Sequence, residues 1–320
     1  MKISVALATY NGAKHLQQQL DSYLTQTRLP DELVVTDDCS KDETVNIIKK
    51  FAKTSTFEVK YFSNRKTLGY AENFSNTIAR CSGDVIFISD QDDVWFKNKI
   101  EVVCNSFEQD DSILVVSNNA ELTDESLNPS GVTILDNVKS IGLSNYLVHG
   151  CCAAFKSSLV PIYLPVPDDV THDWWLHYIG INLETKTIIK RPLQFYRRHN
   201  KVESDTILNS TKKVARWRYF IGVLTNKERK HDAVSTMNQR ITELKILQCR
   251  MRDSLIFRKQ YPSISAVSRQ KLPLKIKANE SRKMLLSRPI ILRLISAIHL
   301  YLRGGYKYSS GLRGFVKDVL

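Results

Sequence analysis

The sequence predicts an α/β protein with a mostly parallel, doubly wound sheet and a helical, basic C-terminal region. Three observations predict it. Short runs of β-branched and aliphatic residues alternate with segments of helical period. Polar clusters rich in carboxylates follow several of those runs directly. Charge is divided along the chain: residues 1–210 hold 21 Lys and Arg against 27 Asp and Glu, whereas residues 211–320 hold 25 against 6, within a total of +13. A chain of 320 residues with 42% hydrophobic and 25% charged residues is long enough for one large α/β domain plus an appendage.

The elements follow in order. Ile3 to Ala8 reads as a buried strand, Ala13 to Leu24 as a helix with Leu16, Leu20 and Leu24 four residues apart, and Leu33 to Thr36 as the next strand. Asp42-Glu43 opens a helix to about Phe51, and Ser40 with Glu43 fits a capping box. A strand at Val59-Tyr61-Phe62, a helix from Ala71 to Ala79 and a strand from Val85 to Ser89 repeat the pattern. Residues 1–210 are therefore read as one α/β domain and 211–320 as a second, basic region. In the latter, helical period runs from Lys212 to about Tyr261, with no Gly or Pro between Val223 and Gln260. Read as a helix, Pro289 to Arg303 confines Arg293, Ser296, His299 and Arg303 to one narrow stripe and leaves a broad apolar face. Such a helix suits an anionic lipid surface, or burial against the catalytic domain.

In open α/β sheets ligands sit beyond the carboxyl ends of the strands. Three polar clusters fall there: Thr9-Tyr10-Asn11-Gly12, Asp37-Asp38-Cys39-Ser40-Lys41-Asp42 and Asp90-Gln91-Asp92-Asp93. Adjacent carboxylates ending a buried strand are costly to leave unpaired, so Asp37 and Asp38 are expected to answer donors such as base N–H groups, ribose hydroxyls or a metal. Three carboxylates in four residues repel one another, and Mg²⁺ or Mn²⁺ relieves that repulsion while taking oxygens from a diphosphate. A solvated acidic turn is the alternative, disfavoured by the position directly after Val85 to Ser89.

Other features narrow the setting. The chain begins Met1-Lys2-Ile3-Ser4 and runs straight into a strand-like segment, unlike a secretory signal, so export is not expected. The cysteines at 39, 81, 104, 151, 152 and 249 show no CxxC pair and read as reduced thiols. No apolar run reaches the roughly 20 residues that cross a bilayer, so membrane association is expected to be peripheral.

With these residues in view, the chain resembles family 2 glycosyltransferases of the A-type fold. The resemblance rests on Ile3 through Gly12, Asp31 through Thr44, Gly69-Tyr70-Ala71-Glu72-Asn73 and Ile88 through Asp93. It is clear over about residues 1–110 and looser to about 200. The extended Asp-Gln-Asp-Asp-Val-Trp segment with a later His-Asp-Trp-Trp looks most like bacterial rhamnosyltransferases of surface polysaccharide and O-antigen synthesis.

The resemblance implies a metal-dependent hexosyltransferase. Thr9, Tyr10 and Asn11 would border the nucleotide, Asp38 and Asp37 would contact base or ribose, and Asn73, Asp90 and Gln91 would complete the donor site. Asp92 is the first choice of metal ligand, with Asp90 beside it. Cys39 stands where the family usually has glycine. An inverting displacement needs a general base for the acceptor hydroxyl, and Asp173 in Thr171-His172-Asp173-Trp174-Trp175 is the candidate. His172, Trp174 and Trp175 are expected on the acceptor side, although core packing competes for both Trp rings. Arg197 and Arg198 are expected to hold phosphate oxygens and His199 to reach the metal. Lys201 to Leu208 would form a flap over the donor.

The implied partners are a nucleoside diphosphate sugar, dTDP-rhamnose first and UDP-glucose, UDP-galactose or UDP-GlcNAc otherwise, a lipid-linked glycan acceptor and an anionic membrane. The implied location is the cytoplasmic face of the cell membrane. A basic nucleic-acid-binding protein on a non-catalytic scaffold is the reading from another class. No recognition motif supports it, and the acidic loops repel phosphate, so no nucleic-acid partner is expected. A nucleotidyltransferase would also use strand-end aspartates, but no Gly-rich phosphate loop is present.

Overall fold

The computed structural model describes residues 1–141, 147–199, 209–213, 233–309 and 311–319. The chain divides into two compact units, Met1–Ile221 and Gly222–Leu320.

The first unit opens with β1 (Ile3–Thr9), α1 (Ala13–Leu24), β2 (Glu32–Asp37), α2 (Thr44–Thr54), β3 (Glu58–Ser63), α3 (Tyr70–Ile78) and β4 (Val85–Ser89). These four strands lie side by side in the order β3-β2-β1-β4, all parallel. Their aliphatic runs are continuous because helices cover both sheet faces, so β2 and β4 are buried at every residue. Leu16 and Leu20 of α1 and Ile48 and Phe51 of α2 close over Val5, Leu7, Leu33 and Val35. Each such aliphatic side chain contributes about 1.5–3 kcal/mol on full burial. Register fixes the site: Thr9 pairs with Asp37 and Leu7 with Ser89, so the polar segments after β1, β2 and β4 emerge at one edge.

The rest of the unit is β5 (Val94–Trp95), α4 (Lys99–Gln109), β6 (Val115–Thr123), β7 (Pro129–Thr133), α5 (Ile134–Ser140), β8 (Ala153–Lys156), α6 (Val160–Tyr163), α7 (His172–Asn182) and β9 (Lys186–Arg197). Here the sheet is mixed, not parallel: β8 runs antiparallel to β4 and β6, β6 parallel to β9, and β9 antiparallel to β5. The fold class is the expected α/β one, with continuous parallel order in the four strands that carry the helical crossovers and one further parallel pair, β6 with β9. Register between β6 and β9 shifts around Asn119 and Pro192, where proline has no N–H to give the ladder.

The capping box expected at Ser40 and Glu43 does not form. Helix α2 starts at Thr44 with no side-chain cap, and Ser40 turns back to Asp37. The Asp42 carboxylate takes the backbone N–H of Thr44 instead, at 3.1 Å.

The second unit holds α8 (Ala233–Asp253), α9 (Leu255–Gln260), α10 (Pro262–Leu286), α11 (Ile290–Leu302) and α12 (Gly311–Val319). The single helical run expected from Lys212 to Tyr261 breaks at Ser254, whose side chain caps α9, and residues 214–232 lie outside the described residues. Met237, Leu285, Leu286 and Ala297 form a small core. Beside it Arg282 and Asp318 make a buried ion pair at 2.6 Å, and the Tyr306 hydroxyl donates to Asp318 at 2.9 Å. Among the described residues no helix is long and apolar enough to cross a membrane.

Candidate active site

The edge beyond β1, β2 and β4 is built first from hydrogen bonds between its loops. Gln91 spans to the loop after β1: its Oε1 accepts from Tyr10 N and its Nε2 donates to Tyr10 O, both at 3.0 Å. A Cβ at Gly12 would lie 2.1 Å from that Oε1, so only glycine admits the clasp. Asn11 and Cys39 both adopt positive φ, 46° and 65°. The value at Cys39 explains why glycine is favoured in that turn; here the strained cysteine turns its Sγ to Asn64 O, at 3.3 Å.

Several residues expected to meet the nucleotide are held by hydrogen bonds within the protein. Asp37 is buried and accepts from Thr9 Oγ1 (2.9 Å), Ser40 N (2.9 Å) and Ser40 Oγ (2.5 Å). Thr9 is thereby occupied as well. The Asp38 carboxylate accepts from Leu68 N, Gly69 N and Asn64 Nδ2 at 2.8–3.0 Å. Asn73 donates to Thr9 O and Thr36 O and accepts from Asn64. Their physical reason is shared: a buried carboxylate or amide between loop N–H groups satisfies donors that no strand can reach. Tyr10 differs, since its side chain is 49% exposed at the mouth of this edge.

The turn Asp90 to Asp93 divides by depth. Asp93 is fully buried and accepts from Gln194 Nε2 at 2.8 Å and Arg197 N at 3.3 Å. Burial and the neighbouring Asp92 push its carboxyl up to about 7. Beneath it lies Lys99, which donates to Gln194 Oε1 and to Cys151 O (2.9 Å) with its ammonium 4.0 Å from the Trp95 ring centroid. Burial brings Lys99 down to about 8. Asp90 is half-buried, and burial together with Asp93, Asp92 and Asp173 holds it well above the ordinary carboxylate range. Asp92 meets His199, whose Nε2 stands 2.9 Å from its Oδ2.

Arg197, expected on the diphosphate, is buried under this turn. Its Nε donates to Asp92 O at 2.8 Å, its Nη2 to Gln18 Oε1 at 2.6 Å and its Nη1 to Glu125 O. All three guanidinium nitrogens are engaged within the protein, so Arg197 braces the acidic turn. Arg198 is half-buried, with its guanidinium 5.9 Å from the Tyr196 ring centroid. Nothing in the sequence pointed to His15 of α1, whose ring lies 5.1 Å from that of His199 and whose Nε2 is 3.6 Å from Glu125 Oε1. Burial and Arg197 lower its pKa.

Asp90, Asp93 and Cys151 bring one ligand atom each within 4.8 Å of one another. Their chemistry decides which of them suits a cation. The Cys152 hydrogen bond and burial push the Cys151 thiol well above its ordinary range, so it stays protonated. Asp93 is committed to Gln194 and Arg197. Asp92 and His199 stand side by side at 2.9 Å, but with Asp90 they do not form a converging group in this structure. The carboxylates of Asp90 and Asp92 are hard donors whose repulsion a cation would relieve, and the His199 imidazole is a borderline one.

Asp173 lies in the first turn of α7, half-buried, and its Oδ1 accepts from Trp174 N at 2.7 Å. Gly150 lies between Asp173 and the end of β4: a Cβ on it would be 3.1 Å from His172 Nε2, 3.2 Å from Asp173 Cβ and 3.8 Å from Ile88 Cγ2. The aromatic wall is half as wide as expected. Trp175 is fully buried and donates Nε1 to Tyr163 O at 2.9 Å, so it belongs to the core, while Trp174 is half-buried beside Tyr178. His172 is buried, stacked on Phe74 at 4.3 Å, and neither ring nitrogen has a partner among the described residues. The expected flap, Lys201 to Leu208, lies outside the described residues.

A parallel β3-β2-β1-β4 sheet with an acidic turn after its fourth strand and a carboxylate near the end of that strand defines a nucleotide-sugar transferase of the A-type fold. The family follows: residues 4–160 match the family model "Glycosyl transferase family 2", so the chain carries a domain of that family. It is 25% identical over 234 residues to the dTDP-rhamnosyl transferase RfbG of Shigella flexneri, covering 69% of this chain and 80% of that one. It is 26% identical over 247 residues to an uncharacterized glycosyltransferase of Rickettsia felis, covering 71% of this chain but spanning only 39% of that relative's length. Among solved structures, S. aureus TarS 1-349 in complex with UDP superposes with a TM-score of 0.53 at 15% identity, over 88% of this chain and 90% of that one.

Proposed function

We propose that the chain is an inverting glycosyltransferase that moves rhamnose from dTDP-rhamnose to a hydroxyl of a lipid-linked glycan during surface polysaccharide synthesis. The observation that carries the transfer is Asp173, a carboxylate in the first turn of α7 that Gly150 separates from Ile88 at the end of β4. The choice of sugar is supported by the name of the Shigella relative and by His172-Asp173-Trp174-Trp175.

Asp90, Asp92 and His199 would hold Mg²⁺ or Mn²⁺, which offsets charge on the departing nucleoside diphosphate. Arg197, Gln194 and Lys99 keep that turn in place from below. The exposed Tyr10 ring stacks on the base, Arg198 approaches the phosphates, and Trp174 lines the acceptor. Asp173 takes the acceptor proton as the hydroxyl attacks the anomeric carbon from the face opposite the diphosphate, so no covalent intermediate forms. The acceptor's lipid places the reaction at the cytoplasmic face of the cell membrane, with the enzyme bound peripherally.

Nucleoside diphosphate release tests this with dTDP-rhamnose, UDP-glucose, UDP-galactose and UDP-GlcNAc, each with Mn²⁺, Mg²⁺ or EDTA, in extracts containing lipid-linked acceptors. Release from dTDP-rhamnose that EDTA abolishes is expected. Release from a UDP-sugar alone would keep the chemistry and replace the sugar; no release from any donor would overturn the reading.

A further inference from the structure

Helix α11 is turned inside out. The residues it directs toward its own unit are Arg293, Ser296, Ala297 and Leu300, spaced as one helical stripe, and two of the four are polar. Arg293 donates to Leu286 O at 3.1 Å, and Ser296 accepts from Arg288 at 2.7 Å. The outward face is the apolar one: Ile291, Leu292, Leu294, Ile295, Ile298, Tyr301 and Leu302 are all exposed, from 44% to 79%. A helix in water places its faces the other way round, and a contiguous exposed strip of this kind marks a surface that something apolar covers.

Charge identifies the cover. Residues 281–317 contain eight Lys and Arg and no Asp or Glu. Arg288 stands exposed just before α11, and Arg303 and Lys307 stand exposed just after it, so cations bracket the apolar strip. A second copy of the chain fits poorly. Thirteen helical residues make a strip about 20 Å long and 10 Å wide, far short of the roughly 800 Å² per partner of a stable dimer, and pairing would set like charges against each other. Nucleic acid would satisfy the cations and leave the aliphatics in water. At about 20 Å the helix is also too short to cross a hydrocarbon core of about 30 Å.

We infer that the Ile291–Leu302 face of α11 docks in the headgroup layer of an anionic bilayer, lying in its plane with Arg288, Arg303 and Lys307 on lipid phosphates. Its purpose, bringing the site to a lipid-linked acceptor, rests on the function proposed above; the docking does not.

The test is co-sedimentation of the full chain with vesicles of phosphatidylcholine alone or with phosphatidylglycerol. Binding to the anionic vesicles is expected, at least tenfold weaker to the neutral ones and weakened by 1 M salt. Ile295→Asp and Leu302→Asp, both at exposed positions, should each lower binding about tenfold or more. Arg303→Glu should lower it about fivefold or more on anionic vesicles only. Circular dichroism and nucleotide binding should stay unchanged in all three. The inference is overturned if the wild type stays in the supernatant, if the aspartate variants bind as well as it does, or if Ile295→Asp converts a dimer to a monomer. Salt-sensitive retention on an oligonucleotide without vesicle binding would also overturn it. Nucleoside diphosphate release onto a detergent-soluble acceptor, measured alongside, keeps failure of docking distinct from failure of the transferase reading.

Discussion

His199 Nε2 lies 2.9 Å from Asp92 Oδ2, joining the segment after β9 to the acidic turn after β4 across 107 residues of sequence. The pair sets one nitrogen and one oxygen donor at the same point, with the ring of His15 5.1 Å from that of His199. If they serve the cation together, His199→Ala should weaken Mn²⁺-supported nucleotide binding about 10- to 100-fold. Asp92→Ala should do at least as much. Titration calorimetry of nucleoside diphosphate with and without Mn²⁺ reads this, and unaltered metal dependence in both variants contradicts the assignment.

Trp174 and Trp175 separate by role. Trp175 is fully buried with its Nε1 bonded to Tyr163 O, so Trp175→Ala should cost about 3–5 kcal/mol in urea unfolding. Trp174→Ala should leave stability within about 1 kcal/mol and raise the acceptor KM. The reverse pattern would place the wrong ring on the acceptor.

Glu32 ties the far end of the sheet, away from the site. It is fully buried and accepts from Ser4 Oγ (2.5 Å), Lys60 Nζ (2.6 Å), Ser82 N (2.6 Å) and Ser82 Oγ (2.9 Å). Burial alone would raise its pKa, but the bonds from Lys60, Ser4 and Ser82 outweigh it and bring the carboxyl from 4.5 down to about 2. A folded-state pKa below the unfolded value means stability that is complete above about 4.5 and lost as pH falls toward 2. Glu32→Gln should therefore lower stability at pH 7 by about 1–3 kcal/mol and flatten the acid side of the pH profile. A parallel downward shift at every pH would contradict this.

The strand-end logic was legible because β1, β2 and β4 are covered on both faces and read as continuous aliphatic runs, which set the polar turns at one edge. What escaped depends on partners far away in sequence. Asp37, Asp38 and Asn73 look like ligand contacts when read along the chain; apart from the Ser40 bonds to Asp37, their partners come from other loops and strands. Arg197 lies beneath the acidic turn and not above it because β9 enters the sheet beside β6 and β5, a pairing that local pattern does not encode. Lys99 and Gln194 carried no signal at all, since a buried lysine within a helix reads as a surface one. Trp174 and Trp175 are adjacent, and only the orientation of α7 decides which is buried. On α11 the surprise is that Arg293 and Ser296 of the polar stripe face inward, while His299 and Arg303 stay exposed.

The central claim is that Asp173 deprotonates the acceptor, and turnover of Asp173→Asn, measured beside donor binding in the same preparation, tests it most directly. Turnover should fall about 10²- to 10⁴-fold, with nucleotide-sugar affinity within about twofold of the wild type because asparagine keeps the shape at the start of α7. Unchanged turnover at unchanged affinity would contradict it and leave the reaction to another base.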